Sequence, residues 1–214
     1  MTNIEVSFKK VKGEMAMGEN KIIIQKESFN GISEYSLASE YLKNRTIFIF
    51  GEITTDTAND FAMKLLYLQQ LSNDPIKILI NSVGGEVYAG LTIYDLIQGS
   101  ACDIEGYVVG MAASMAAIIL MGCSKGKRFI LPHSRVMIHE PLVNRIGGSA
   151  SSVKSFSEDL LRMKETLNNL MAENTGKPIE EIDKATGFDN FLSSKEAVEF
   201  GICDEIINTI DFTQ

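Results

Sequence analysis

The sequence predicts an α/β fold in which parallel strands are covered by helices. A strand–loop–helix order repeats three times from Thr46 through the segment containing Ser114, the pattern that parallel strands require because their ends lie at opposite edges of the sheet. Across 214 residues the chain is 45% hydrophobic and 22% charged, with no Pro/Gly/Ser-rich linker, so it reads as one folded core rather than a disordered or divided chain.

In chain order, residues 1 to 20 are polar, contain Met and Lys and show no clear period; they are expected to form a mobile leader, with order beginning near Lys21 and a single domain over 21–214. Tyr35 to Lys43 has helical spacing. Thr46-Ile-Phe-Ile-Phe50 is a buried strand ended by Gly51. Thr54 and Asp56 offer caps to a helix through Leu71, with Phe61, Leu65 and Leu68 on one stripe, and Asn73-Asp-Pro75 turns out of it. Ile76 to Ile80 is the next strand, Asn81-Ser-Val-Gly-Gly85 a loop, and Val87 to Gln98 a helix. Ile104 to Val109 is a third strand, followed by the helix that contains Ser114. Short strands are expected at Arg128 to Leu131 and Arg135 to Ile138. Gly147-Gly-Ser149 is a flexible joint before a long helix from Ser151 to Asn174, ended by Gly176 with Pro178 starting the next. Ser193-Ser-Lys-Glu196 is the capping box of a final helix that stops at Gly201.

Charge and cysteine usage exclude several classes. A net charge of −8, with no basic cluster beyond Lys125-Gly-Lys-Arg128, gives little to attract phosphate backbones, so nucleic acid is not an expected partner. Cys102, Cys123 and Cys203 are odd in number and widely spaced, which suits free thiols in a reducing compartment and forms no metal pattern. No apolar stretch follows Lys9, Lys10 and Lys12, so no secretory signal is read and a cytoplasmic location is expected. Gly106 to Ser124 carries no charge, yet Gly, Ala and Ser dominate it, which favours a buried strand and helix over a membrane span.

Ser114 places a hydroxyl among alanines where a strand hands over to a helix. A serine hydroxyl attacks only with an adjacent base, usually His held by a carboxylate, and needs amide donors for the oxyanion. The Met115 amide, at the positive end of the helix, is one candidate donor, and the Gly84-Gly85 loop supplies another. The Gly-x-Ser-x-Gly elbow is absent. Both histidines compete for the base: His139 closes an apolar strand, and His133 follows Pro132 in a turn. Two His six residues apart without matching carboxylates make a weak metal set, and no cofactor motif is present. Asp189 lies in a polar turn, where local pattern cannot choose it over other carboxylates.

Together, Ile80-Asn-Ser-Val-Gly-Gly85, Ile93-Tyr-Asp95, Gly110-Met-Ala-Ala-Ser-Met115, Gly126-Lys-Arg-Phe129, Leu131-Pro-His-Ser-Arg-Val-Met-Ile-His-Glu-Pro-Leu142 and Phe191-Leu-Ser-Ser-Lys-Glu-Ala-Val-Glu-Phe-Gly201 resemble the proteolytic subunit family of Clp proteases, ClpP, from about Lys21 to Ile207. The resemblance implies a crotonase-like spiral of ββα units with a projecting helical handle over about 143–176. It implies Ser114 as nucleophile, His139 as general base, Asp189 as orienting carboxylate, and the amides of Gly85 and Met115 as the oxyanion hole, without metal or cofactor. It further implies a serine endopeptidase acting on unfolded polypeptides and short peptides inside stacked heptameric rings, a tetradecamer fed by an AAA+ unfoldase. The alternatives are a catalytically weak or regulatory ring subunit that assembles with an active paralogue, and an acyl-CoA hydratase or isomerase on the related crotonase fold. Against the family pattern, Val83 replaces a proline, Gly187-Phe188 replaces a charged segment, and Val143-Asn144 stands where two glycines are common. Lys77, Leu79 and Gly99 stand where relatives place aromatics for unfoldase docking, so an atypical docking surface is expected.

Overall fold

The computed structural model describes residues 4–8, 22–28, 31–143 and 145–211, and falls into two units, one ending at Thr46 and the other running from Ile47 to Asp211. In the first, strands β1 (Ile4–Phe8), β2 (Ile22–Ser28) and β3 (Gly31–Ser36) form an antiparallel sheet in that order. Helix α1 (Leu37–Lys43) follows, its first turn capped by Ser36 Oγ accepting from the Ser39 amide at 3.1 Å. The ammonium of Lys43 lies 3.5 Å from the centre of the Tyr35 ring, a cation–π contact. Part of the expected leader is therefore a strand: Ile4, Val6 and Phe8 alternate with Glu5 and Ser7, but five residues of period two gain a ladder only from a partner strand well along the chain. Residues 9–21 lie outside the described residues.

The second unit is built on a seven-stranded, mostly parallel sheet. Its elements are β4 (Thr46–Ile53), α2 (Thr55–Leu71), β5 (Ile76–Gly85), α3 (Val87–Gln98), β6 (Ile104–Ala113), α4 (Met115–Gly122), β7 (Arg128–Ile130), β8 (Arg135–Ile138), α5 (Ala150–Thr175), α6 (Ile179–Thr186), β9 (Asn190–Ser193), α7 (Ser194–Phe200) and β10 (Glu205–Ile206). The strand order is β10-β7-β6-β5-β4, with β8 on β6 and β9 on β8. Capping chemistry sets the helix ends. Thr54 and Thr57 exchange side-chain and backbone bonds at the start of α2, and Ser193 with Glu196 does the same for α7. Gly176 and Gly201 close α5 and α7 at φ +75° and +89°.

Every residue of α4 is buried, and its Ile118, Ile119 and Leu120 join Ile47, Phe61, Leu65, Ile78, Ile80 and Ile93 in the core. Each such side chain contributes about 1.5–3 kcal/mol of transfer free energy. The uncharged run that could be mistaken for a membrane span is thus the end of β6 plus an eight-residue helix.

The structure lengthens two strands beyond the sequence expectation. β5 continues through Asn81–Gly85, expected as a loop, and β6 continues to Ala113 instead of stopping at Val109. Both extensions lie beyond a register shift between Ile80 and Ser82, where β6 changes neighbour: Gly106–Val108 pair with β7, and Met111–Ala113 pair with β8. Gly110 makes the change possible at φ +105°, since a Cβ there would lie 2.7 Å from Asn81 Oδ1. Buried Ser134 clasps the kink, its Oγ accepting from the Gly110 amide at 2.8 Å and donating to the Val108 carbonyl at 3.0 Å.

Candidate active site

Strand register brings three distant residues together. β6 and β8 run parallel with Ala113 opposite Met137, and the Ser114 amide adds one more bond to the Met137 carbonyl at 2.8 Å. Ser114 therefore leaves the end of one strand beside the point where His139 leaves the next. β8 and β9 are antiparallel with Ile138 opposite Asn190, so the following step on one strand faces the preceding step on the other, His139 against Asp189. Asp189 lies, as expected, in the turn after α6, and the next residue begins β9, an edge strand of four residues that local pattern could not distinguish from loop.

The side chains meet in series. His139 Nε2 lies 2.8 Å from Ser114 Oγ, and His139 Nδ1 lies 2.9 Å from Asp189 Oδ1. A carboxylate only accepts, so the Asp189 contact favours the tautomer with hydrogen on Nδ1, leaving Nε2 to accept from the Ser114 hydroxyl. This arrangement can draw a proton from the hydroxyl as it becomes a nucleophile. His133, the competing imidazole, is exposed in the turn before Ser134.

Ser114 sits at φ +54°, ψ −122°, one of two described non-glycine residues with positive φ. This strained turn lets the chain pass from β6 straight into α4, with the Ser114 carbonyl accepting from the amides of Ala117 and Ile118. The Gly84-Gly85 backbone packs beside it. A Cβ on Gly84 would fall 2.7 Å from Ser114 Cβ and 3.1 Å from the Met115 nitrogen, and one on Gly85 would fall on the Ile53 carbonyl. Both glycines have positive φ, +91° and +156°. Val83 is 65% exposed next to them.

An apolar pocket opens at Ser114 and His139, walled by Val87, Met115, Ile118, Ile138, Leu167 and Met171. Leu167 and Met171 come from α5, a contribution sequence reading missed because nothing local ties that helix to Ser114. The available signal was Asn168, a polar residue on the buried face of an amphipathic helix. Behind the site, Lys164 Nζ contacts Glu140 Oε2 at 2.6 Å, and this hydrogen bond to the carboxylate holds the lysine above its ordinary pKa.

Of the positions expected to shape an unfoldase surface, Leu79 is buried, Lys77 donates to the Asp211 carbonyl, and Gly99 caps α3. Phe188, in the turn before Asp189, is 62% exposed. Among the described residues no three His, Cys, Asp or Glu side chains converge to hold a metal, and no helix is long and apolar enough to cross a membrane.

The Clp protease family profile matches residues 29–210, which span the whole mostly parallel sheet, its covering helices and all the residues gathered at Ser114. On that match the chain belongs to the Clp protease family, a family of peptidases.

Proposed function

We propose that the protein is a serine endopeptidase in which Ser114 attacks the scissile carbonyl, His139 takes and returns the proton, and Asp189 orients the imidazole. The observation that carries this reading is the pair of hydrogen bonds in series, 2.8 and 2.9 Å, ending on a hydroxyl held in a strained turn. As Ser114 Oγ bonds to the carbonyl carbon, its proton passes to His139 Nε2 and negative charge gathers on the carbonyl oxygen. The amides of Gly85 and Met115 stabilise that charge, supported by the position of the Met115 nitrogen at the N-terminus of α4 and beside the Gly84-Gly85 backbone. Collapse of the intermediate hands the proton to the leaving amine, and water then repeats the sequence to free Ser114. The apolar pocket beside Ser114 receives the side chain preceding the cut.

Membership in the family implies oligomeric assembly and partnership with Clp ATPases. The specific proposal is a chamber of two heptameric rings, with α5 within the handle and an AAA+ unfoldase feeding unfolded polypeptide. It is supported by a row of exposed apolar side chains on α2 at helical spacing, Met63, Leu66, Tyr67 and Leu71, which a neighbouring subunit would cover. Buried Leu79 and paired Lys77 leave less apolar surface for docking loops, so the ATPase contact is proposed to be atypical. The buried thiols of Cys102, Cys123 and Cys203 suit a reducing, cytoplasmic setting.

A fluorophosphonate probe tests the chemistry. Ser114 should be labelled in the wild type, and both Ser114→Ala and His139→Ala should abolish labelling, with rates down by about 10³-fold or more. Undiminished labelling of His139→Ala would overturn the assignment.

A further inference from the structure

One face of α5 is turned toward the site, and along it apolar and polar side chains share the work. Leu167 and Met171 wall the pocket, while Lys164 and Asn168 make polar contacts. Asn168 is 1% exposed, and its Nδ2 donates to Asp183 Oδ1 on α6 at 2.6 Å. Fully buried Thr186 ends α6; its hydroxyl donates to the Ile182 carbonyl at 2.9 Å and lies 3.4 Å from Asn168 Oδ1. The Thr186 carbonyl accepts from the Glu140 amide at 2.8 Å, and the Glu140 carboxylate accepts from Lys164 Nζ at 2.6 Å. The circuit thus leaves α5 at Asn168 and returns to it at Lys164.

Glu140 directly follows His139, and Thr186 lies three residues before Asp189. The Asp189 side chain is 63% exposed, so water screens its pull on the imidazole, and the 2.9 Å contact depends on the two backbone segments being held at a set separation. The Glu140–Thr186 backbone bond sets that separation, and its two ends are anchored to one helix. We propose that Asn168 and Lys164 are positioning residues through which α5 holds His139 and Asp189 in reacting geometry while Leu167 and Met171 shape the pocket. The proposal rests on the serine peptidase reading above.

The test uses the full-length protein, a short fluorogenic peptide and the fluorophosphonate probe. Asn168→Leu removes no charged group, leaving Asp189, Glu140, Asp183 and Lys164 in place. It should lower kcat by about 10–100-fold with KM within about two-fold. Lys164→Met, at a half-buried side chain, should lower kcat by about 3–10-fold, and Lys164→Arg should restore it. Labelled wild type, with both variants folded and unchanged in kcat, overturns this proposal and leaves the serine reading intact. Unlabelled wild type overturns both. Should Asn168→Leu fail to fold, Lys164→Met decides alone, and an unchanged kcat refutes.

Discussion

Replacing Gly84 with alanine would set one methyl group against the reacting residue. The new Cβ would lie 2.7 Å from both the Ala113 carbonyl oxygen and Ser114 Cβ, and 3.1 Å from the Met115 nitrogen. Relaxed carbon contacts need about 3.5–4.0 Å, so one of two backbone segments must give by roughly 1 Å. A displacement of that size between nucleophile and amide donors lowers kcat by about 10²-fold. Stability falls as well, by about 1–2 kcal/mol for alanine at φ +91° and about 1–3 kcal/mol for overpacking. At about 2–4 °C per kcal/mol for a chain of this size, the thermal midpoint should drop by roughly 4–20 °C. Gly51→Ala is the control: its φ is +78° but a Cβ there meets nothing within 4 Å, so it should show the backbone cost alone, with kcat unchanged. Peptide hydrolysis and thermal melts of the two variants separate the terms. Wild-type kcat and melting midpoint in Gly84→Ala would refute the claim that this glycine is required beside Ser114.

Other outcomes follow from features away from the site. Arg128, with its side chain 4% exposed, is held by both carboxylate oxygens of Asp204 and by the Asn174 carbonyl, so Asp204→Asn should destabilise by about 3–5 kcal/mol in urea melts. Burial raises the Asp204 pKa, but the hydrogen bonds and charge of Arg128 outweigh it and hold the group below its ordinary value. A depressed carboxylate contributes stability that is complete above its unfolded pKa of about 3.9 and lost as pH falls through the folded value. Wild-type stability should therefore decline below about pH 4 more steeply than that of Asp204→Asn. Burial pushes the Cys123 and Cys203 thiols up to about 12, so neither should react with iodoacetamide at pH 8 until the protein is unfolded. Leu66→Lys, at a 52% exposed position on the apolar row of α2, should shift the protein to smaller species in sedimentation while leaving the monomer folded.

Much of the architecture was legible because it is written in short-range pattern. The capping box at Ser193–Glu196, the glycine ends at Gly176 and Gly201, and helix α3 over Val87–Gln98 all fall where the residues place them. Elements that depend on a distant partner were not legible: β1, β9, β10 and the extensions of β5 and β6 consist of few residues each, and only a neighbouring strand makes them strands. Gly110 and Ser134 show the reason well. Their side-by-side placement turns β6 from β7 to β8, yet 24 residues separate them and neither is unusual in its own surroundings.

Local pattern was enough for the class of the fold, the ends of the longer helices, the uncharged buried run and a short set of chemically capable residues, because each depends on propensity, periodicity or side-chain chemistry over a few residues; it placed Tyr35 and Ser114 inside helices that begin at Leu37 and Met115. It left His133 and His139 level on local grounds until the wider pattern of motifs was weighed, and composition offered Asp189 no preference among 28 acidic residues. The resemblance pointed to His139 and Asp189; strand pairing brings those two side chains within hydrogen-bond reach of Ser114 in series, and only the folded chain sets α5 against the pocket. The physical reason is register: the side chains converge only after β6, β8 and β9 have paired, and hydrogen-bonded alignment between strands far apart in the chain leaves no trace in local spacing.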